Sequence, residues 1–132
     1  MLFRSYPDLQ AWRAEKERIT AELPVIRSFA GRLAESPATL ADALDTRARL
    51  DKELSRLYVY ASMLADQDTR ASGPQGMQQE MQQLAAEFGG QAAYIEPELL
   101  KIRPTTIEQA IAAEPRLATY RFYLHEIGRA HV

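Results

Sequence analysis

Apolar residues recur along the chain at the three- and four-residue spacings of helices, and no stretch alternates long enough to predict a strand. The first predicted helix follows a capping-box-like start at residues 5–8. It ends or kinks at Pro24, because proline has no N–H and its ring crowds the preceding turn. Residues 25–33 are then predicted to continue as a second, short helix. The apolar face of the first helix is predicted to carry Leu9, Trp12, Ile19 and Leu23.

A second helical start is predicted at Ser36 and Pro37, where a hydroxyl N-cap precedes a proline at the first helical position. A row of leucines continues from there to about Gln67. The pattern fits one helix, or two helices with a bend near residues 45–46. Residues 68–76, which are rich in serine, glycine and proline, are predicted to form a turn.

The second half of the chain predicts three further helices. The first of them is stopped by Pro97, and its apolar face carries Met77, Met81, Leu84, Phe88 and Ile95. Thr105 and Glu108 form a capping box that opens a short helix, and residues 114–115 begin the last one. The prediction is an all-α fold: an antiparallel multi-helix bundle of five or six helices, forming a single domain over residues 1–132.

Composition narrows the classes of partner. The chain has 16 Lys and Arg against 18 Asp and Glu, a net charge of -2, which gives no electrostatic reason to expect a nucleic acid or an anionic membrane. It has no cysteine, which excludes disulfides and thiolate metal sites. No signal-peptide pattern and no apolar run of membrane-spanning length are present, so we expect a cytoplasmic location.

The pair His125 and Glu126 invites comparison with the zinc motif H-E-x-x-H. That motif needs its second histidine four residues after the first, so that both rings face one metal, but Arg129 occupies this position. The remaining histidine, His131, is six residues from His125, a spacing that is expected to turn the two rings to different sides of a helix. We therefore expect no catalytic, metal-binding or cofactor-binding residues in this chain.

Five sequence blocks nevertheless resemble one family of peptidases. The most specific is LSRLYVYASMLADQDTR, which ends at Arg70. The others are YPDLQAW, FAGRLAES, MQQEMQQLAAEFGGQAAYIEPELLKI and PRLATYRFYLHEIGRAHV. In this order the blocks resemble the N-terminal region of oligoendopeptidase F, a zinc metallopeptidase of the thimet-oligopeptidase-like class. The chain departs from the family in the lead-in before Tyr6, which is shortened and lacks a tryptophan.

The resemblance implies a non-catalytic N-terminal lobe, truncated at its C-terminal side, of a zinc metalloendopeptidase that hydrolyses short peptides. Such a lobe forms one wall of the substrate groove and limits access to it. The implied zinc belongs to the full-length parent, and the implied partners are the missing catalytic lobe of the same polypeptide and short peptides. None of the family's catalytic or metal residues lies in the matched blocks, so we expect this chain to be inactive alone.

Aromatic and charged residues provide candidates for contact with that lobe or for lining the groove. Residues 58 and 60 lie about 200° apart on a helix, so both rings cannot face the core. The alternative to such a functional role is that the tyrosines pack in the core with their hydroxyls at the solvent-exposed rim, and that the charged residues are simply solvated. The candidates are Tyr58, Tyr60, Asp66, Asp68, Arg70, Tyr120 and Tyr123.

A different hypothesis makes the chain a stand-alone helical protein-interaction module that never had a catalytic half. Both hypotheses predict exposed apolar surface. For a lobe separated from a larger body, we expect a contiguous apolar patch near the last helix and self-association through it.

Overall fold

The structure, a computed structural model, describes residues 8–67 and 72–130, and the regular secondary structure in them is entirely helical. The predicted all-α fold is therefore confirmed. The described residues form α1 (Leu9–Arg27), α2 (Pro37–Gln67), α3 (Ser72–Ala92), α4 (Ile95–Leu100), α5 (Pro104–Ala113), a 3-10 helix (Pro115–Tyr120) and α6 (Arg121–Ala130).

The chain divides into two compact units. The first contains residues up to Pro24 together with 48–91, and the second contains 25–47 together with those from Ala92 onward. Helices α1 and α2 therefore each contribute to both units. The single-domain prediction stays a prediction.

The first unit is organised around Trp12, whose side chain is fully buried. Its indole Nε1–H donates a hydrogen bond of 3.0 Å to the carbonyl oxygen of Leu57, so the polar atom of this large side chain is satisfied. Further along α1, Arg18 contacts Glu53, which precedes Leu57 in α2. The two helices therefore run antiparallel in this unit. The buried residues of the unit are Trp12, Ile19, Leu23, Leu50, Leu54, Leu57, Ala61, Ala65, Met77, Met81 and Leu84.

Ion pairs surround this core. Arg13 and Lys16 both contact Glu80 of α3, at N–O distances of 3.0 and 3.2 Å. Arg49 of α2 contacts Glu22 of α1 at 2.7 Å. Because these side chains are partly exposed, each pair contributes little to the free energy of unfolding. The apolar core holds the helices together, and the ion pairs favour the observed orientation of α1 relative to α2 and α3.

In the second unit, the carboxylate of Glu98 in α4 holds the turn that precedes α2. After α1 the chain turns through Gly31, whose φ of +79° favours glycine. The backbone N–H of Gly31 donates to Glu98 Oε1 at 2.6 Å, and that of Leu33 donates to Oε2 at 2.8 Å. The hydroxyl of Tyr94 donates to the carbonyl oxygen of Ile26. Helix α4 therefore holds the connection between α1 and α2 in place.

The rest of the second unit is a small apolar core. Helix α6 packs against α4, α5 and the 3-10 helix, and α5 also packs against the 3-10 helix. The buried residues are Ile26, Leu33, Leu40, Ala41, Ala43, Leu44, Ile95, Leu99, Ile107, Ala110, Ile111, Leu117, Leu124 and Ile127.

Two helix ends differ from the prediction. Pro24 lies inside α1, which continues to Arg27, so the predicted end at this proline and the separate helix over residues 25–33 are wrong. The fully buried Ile26 explains the extra turn, because its packing holds the backbone helical where proline has removed one hydrogen bond. Leu9, predicted to face the core, is 48% exposed at the start of α1.

The predicted turn over residues 68–76 is wrong from residue 72 onward, where α3 begins, and residues 68–71 lie outside the described residues. The first-turn N–H groups of a helix have no intrahelical partner, so the helix tolerates Pro74 there. Helix α3 also ends at Ala92, before Pro97 is reached. Pro97 and the buried Ile95 both lie in the first turn of α4.

Some predicted helix starts are confirmed. The N–H of Thr39 donates to Ser36 Oγ at 3.0 Å, and α2 runs unbroken from Pro37, as the one-helix alternative predicted. Asp8 caps α1 by accepting from the N–H of Ala11 at 2.8 Å, whereas Ser5 lies outside the described residues.

The starts of the last elements are shifted. Helix α5 begins at Pro104 without a side-chain cap, so Thr105 is already helical and its predicted capping box with Glu108 is wrong. Glu114 does cap the last segment by accepting from the N–H of Arg116, but that segment begins as a 3-10 helix.

We expect Glu98→Gln to destabilise the fold by about 1–3 kcal/mol, because the amide presents one N–H donor where two backbone N–H groups need acceptors. Glu87→Gln on the exposed face of α3 is the matched control. Urea unfolding measures both, and equal midpoints for the two variants would contradict this account of the second unit.

Candidate functional site

The structure places the predicted candidates in separate units. Tyr58, Tyr60 and Asp66 lie on α2 in the first unit, and Tyr120 and Tyr123 lie in the second. Asp68 and Arg70 lie outside the described residues.

Tyr58 lies beside a shallow groove between α2 and α3. Its neighbour Leu57 is fully buried, which leaves Tyr58 turned away from the core and 41% exposed. Met81 and Phe88 of α3 line the same groove. Met81 itself is buried, as expected of a core methionine. Tyr60 is half-buried, and Asp66 is exposed near the end of α2.

Tyr120 is held by a carboxylate of α2. Its hydroxyl donates to Asp45 Oδ1 at 2.6 Å. Burial of the phenol, followed by the hydrogen bond and negative charge of Asp45, raises the pKa of Tyr120 to about 12. The neutral phenol is therefore the form that the fold stabilises.

Tyr123 and Arg116 make two further contacts with α2, on either side of Tyr120. Arg47 donates from Nη1 to the hydroxyl of Tyr123 at 3.0 Å, and its guanidinium carbon lies 4.8 Å from the centre of that ring. Arg116 donates from Nη1 to Asp42 Oδ1 at 2.7 Å.

We call these three pairs the polar ladder: Asp42 with Arg116, Asp45 with Tyr120, and Arg47 with Tyr123. Residue numbers rise together along both sides, so the segment from the 3-10 helix into α6 runs in the same direction as this part of α2. Sequence reasoning named the two tyrosines but missed their α2 partners. The partners lie 74 to 76 residues away, and no local pattern joins them.

An apolar groove of about 420 Å³ lies against α6 in the second unit. We call it the α6 groove. It agrees in position with the apolar patch expected near the last helix. Its apolar wall includes Leu99, Leu100, Ile107, Leu124, Ile127 and Gly128.

One rim of the α6 groove is polar. His125 Nε2 donates to Glu108 Oε1, and Arg121 Nη1 lies 3.6 Å from the other carboxylate oxygen of Glu108. His125 therefore pairs with a carboxylate of α5, and His131 lies outside the described residues. Across residues 8–67 and 72–130, no group of three His, Cys, Asp or Glu side chains is placed to hold a metal ion.

None of the helices in the described part of the chain combines the length and hydropathy that crossing a membrane requires.

Known proteins similar to this chain are named as oligopeptidases or oligoendopeptidases. The chain is 33% identical over 129 residues to Oligopeptidase PepF of Bacillus subtilis, a match covering 96% of this chain and 19% of the relative. It is 33% identical over 130 residues to the plasmid-borne Oligoendopeptidase F of Lactococcus lactis subsp. cremoris, covering 96% of this chain and 22% of the relative. No protein-family model matches the chain.

The fold of this chain is also similar to that of a solved structure with the same kind of name. The crystal structure of oligoendopeptidase-F from Enterococcus faecium matches 91% of this chain and 24% of its own, with a TM-score of 0.80 and 25% sequence identity. The chain thus spans about one fifth of the length of the curated relatives it matches.

We expect the tyrosinate titration of the chain to contain a late component from Tyr120. Because its folded-state pKa of about 12 lies above its ordinary value near 10, its stabilising contribution is complete below about pH 10 and is lost as the pH rises through about 12.

Absorbance titration of wild type minus Tyr120→Phe isolates this component. Asp45→Asn should move it to lower pH while leaving it above the ordinary value, since burial is the larger cause. A Tyr120 component that titrates near pH 10 in the wild type would refute the assigned environment.

Proposed function

Because nearly the whole chain is similar to a segment of oligoendopeptidase F, we propose that it is the N-terminal, non-catalytic helical lobe of a peptidase of that kind. In this proposal the complete protein hydrolyses short peptides, and this lobe forms one wall of the substrate groove and limits access to it. The observation that carries the proposal is the match in sequence and fold over more than nine tenths of this chain but only a fifth to a quarter of longer peptidases.

The chemistry of the described residues supports a non-catalytic role. The carboxylates of Glu98 and Asp45 are engaged in holding backbone and phenol groups. His125 is engaged with Glu108 at an exposed rim. These groups support the fold, and we assign none of them a reacting atom.

The zinc that the resemblance implies does not fit the described part of this chain, which offers no set of three ligating side chains in place. In our proposal, the ligands and the metal-activated water of the peptidase belong to polypeptide outside the matched segment. No step of the reaction is assigned to this chain.

The helices have dimensions suited to a wall. Helix α2 has 31 residues, which at 1.5 Å per residue makes it about 46 Å long. Its Leu40 and Leu44 are buried in the second unit, and its Leu50 and Leu57 are buried in the first. In our proposal this helix lies along the catalytic groove and narrows it, so that extended peptides enter and folded proteins do not.

We expect the 132-residue chain to be inactive by itself. A panel of fluorogenic peptides, incubated with the purified chain with and without added zinc, should show no cleavage above buffer. The matched control is intact Bacillus subtilis PepF under the same conditions. Cleavage by the chain that a chelator abolishes would overturn the proposed role.

We expect this chain to replace the matched segment of Bacillus subtilis PepF. A chimera carrying residues 1–132 in that place should cleave short peptides and leave folded proteins intact, as a substitute wall would. Activity is measured on peptides of increasing length, with intact PepF as reference. A chimera that circular dichroism shows to be folded, but that cleaves no peptide or cleaves folded proteins, would contradict the proposal.

A further inference from the structure

We propose that the α6 groove is a docking surface for an apolar helical segment from the remainder of the same polypeptide. This inference rests on the proposed function and adds to it the surface that would join this lobe to the rest. The occupant is a partner of defined chemistry: a helix presenting apolar side chains at spacings of three, four and seven residues.

The lining of the groove favours an apolar helix over a small polar ligand. Leu99 and Leu100 of α4, Ile107 of α5 and Ile127 of α6 supply apolar walls from three helices. Small-molecule sites add several polar groups that converge on the ligand. Here the polar pair Glu108 and His125 is bonded to itself at the rim.

The charges at the rim permit the groove to be covered. Burying an unpaired carboxylate costs much free energy, whereas burying a paired carboxylate costs less. Glu108 already accepts from His125 and lies near Arg121. A helix that covers the groove would therefore meet a paired carboxylate at the edge and an apolar floor.

The comparisons indicate the source of the occupant. In the Enterococcus faecium structure the matched fold is 24% of the chain, and in the Bacillus subtilis relative the matched segment is 19%. Most of each polypeptide thus lies outside this fold and is tethered to it. A tethered segment binds at high effective concentration, so it competes well against a second molecule for an apolar groove.

Gly128 provides a variant that fills the groove without disturbing the core. A Cβ built at Gly128 meets no atom within 4 Å, and the same holds for Gly90 of α3. Both glycines are the third residue from the end of their helix as the structure defines it. Gly90→Phe is therefore a matched control for Gly128→Phe.

The first measurement uses the 132-residue chain and the dye anilinonaphthalene sulfonate as a probe of exposed apolar surface. We expect dye fluorescence with the wild type and with Gly90→Phe, and a severalfold loss with Gly128→Phe at unchanged helix content. Equal fluorescence of the two glycine variants would overturn the assignment of the groove as the accessible apolar surface.

The second measurement identifies the occupant in the PepF chimera. A photo-cross-linking amino acid replaces Leu100, which lines the groove and is 37% exposed, and in a control it replaces Gly90. Mass spectrometry should find cross-links from position 100 to PepF residues outside the matched segment, within one polypeptide. Cross-links to a second copy, or none outside the segment, would overturn the proposal.

The two proposals fail in different ways. An inactive chimera that still cross-links from position 100 would refute the proposed function and leave the docking surface supported. An active chimera without such a cross-link would refute the docking surface alone.

Discussion

Burial of the apolar face of α2 is the constraint on which the rest of the structure depends. Leu40 and Leu44 enter the core of the second unit, and Leu50 and Leu57 enter that of the first, each less than 3% exposed. Removing such side chains from water supplies most of the favourable free energy of folding. In the first unit α1 contacts α2 through Trp12, and in the second unit the 3-10 helix contacts α2 through Tyr120.

Hydrogen bonds are directional, so the polar groups select one arrangement of the helices among those that apolar burial allows. An apolar face can be covered in several registers, but a buried donor or acceptor accepts few partners. The indole of Trp12 fixes α1 on α2, and the phenol of Tyr120 fixes the 3-10 helix on α2. Glu98 does the same for the turn before α2. In the described residues every buried side-chain polar atom has a partner.

The engagement of polar side chains within the fold also bears on function. Glu98, Asp45 and Glu108 are engaged in contacts within the fold, while the wall of the α6 groove is mostly apolar. In our proposal this surface binds polypeptide. This is the physical link between the proposed lobe of a larger peptidase and the proposed role of the α6 groove.

The sequence alone determined the helical class, the start of α2 at Ser36 and Pro37, and the similarity to oligoendopeptidase F. Each of these three features depends on residues that are close together in the sequence or on blocks of residues in a fixed order. It could not place the end of α1 beyond Pro24, because the burial of Ile26 decides that turn. It named Tyr120 and Tyr123 but not Asp45 and Arg47, since residues 75 and 76 positions apart meet only after folding. A local pattern reports which face of a helix is buried. Only the tertiary structure decides which partner covers it and which groove stays open.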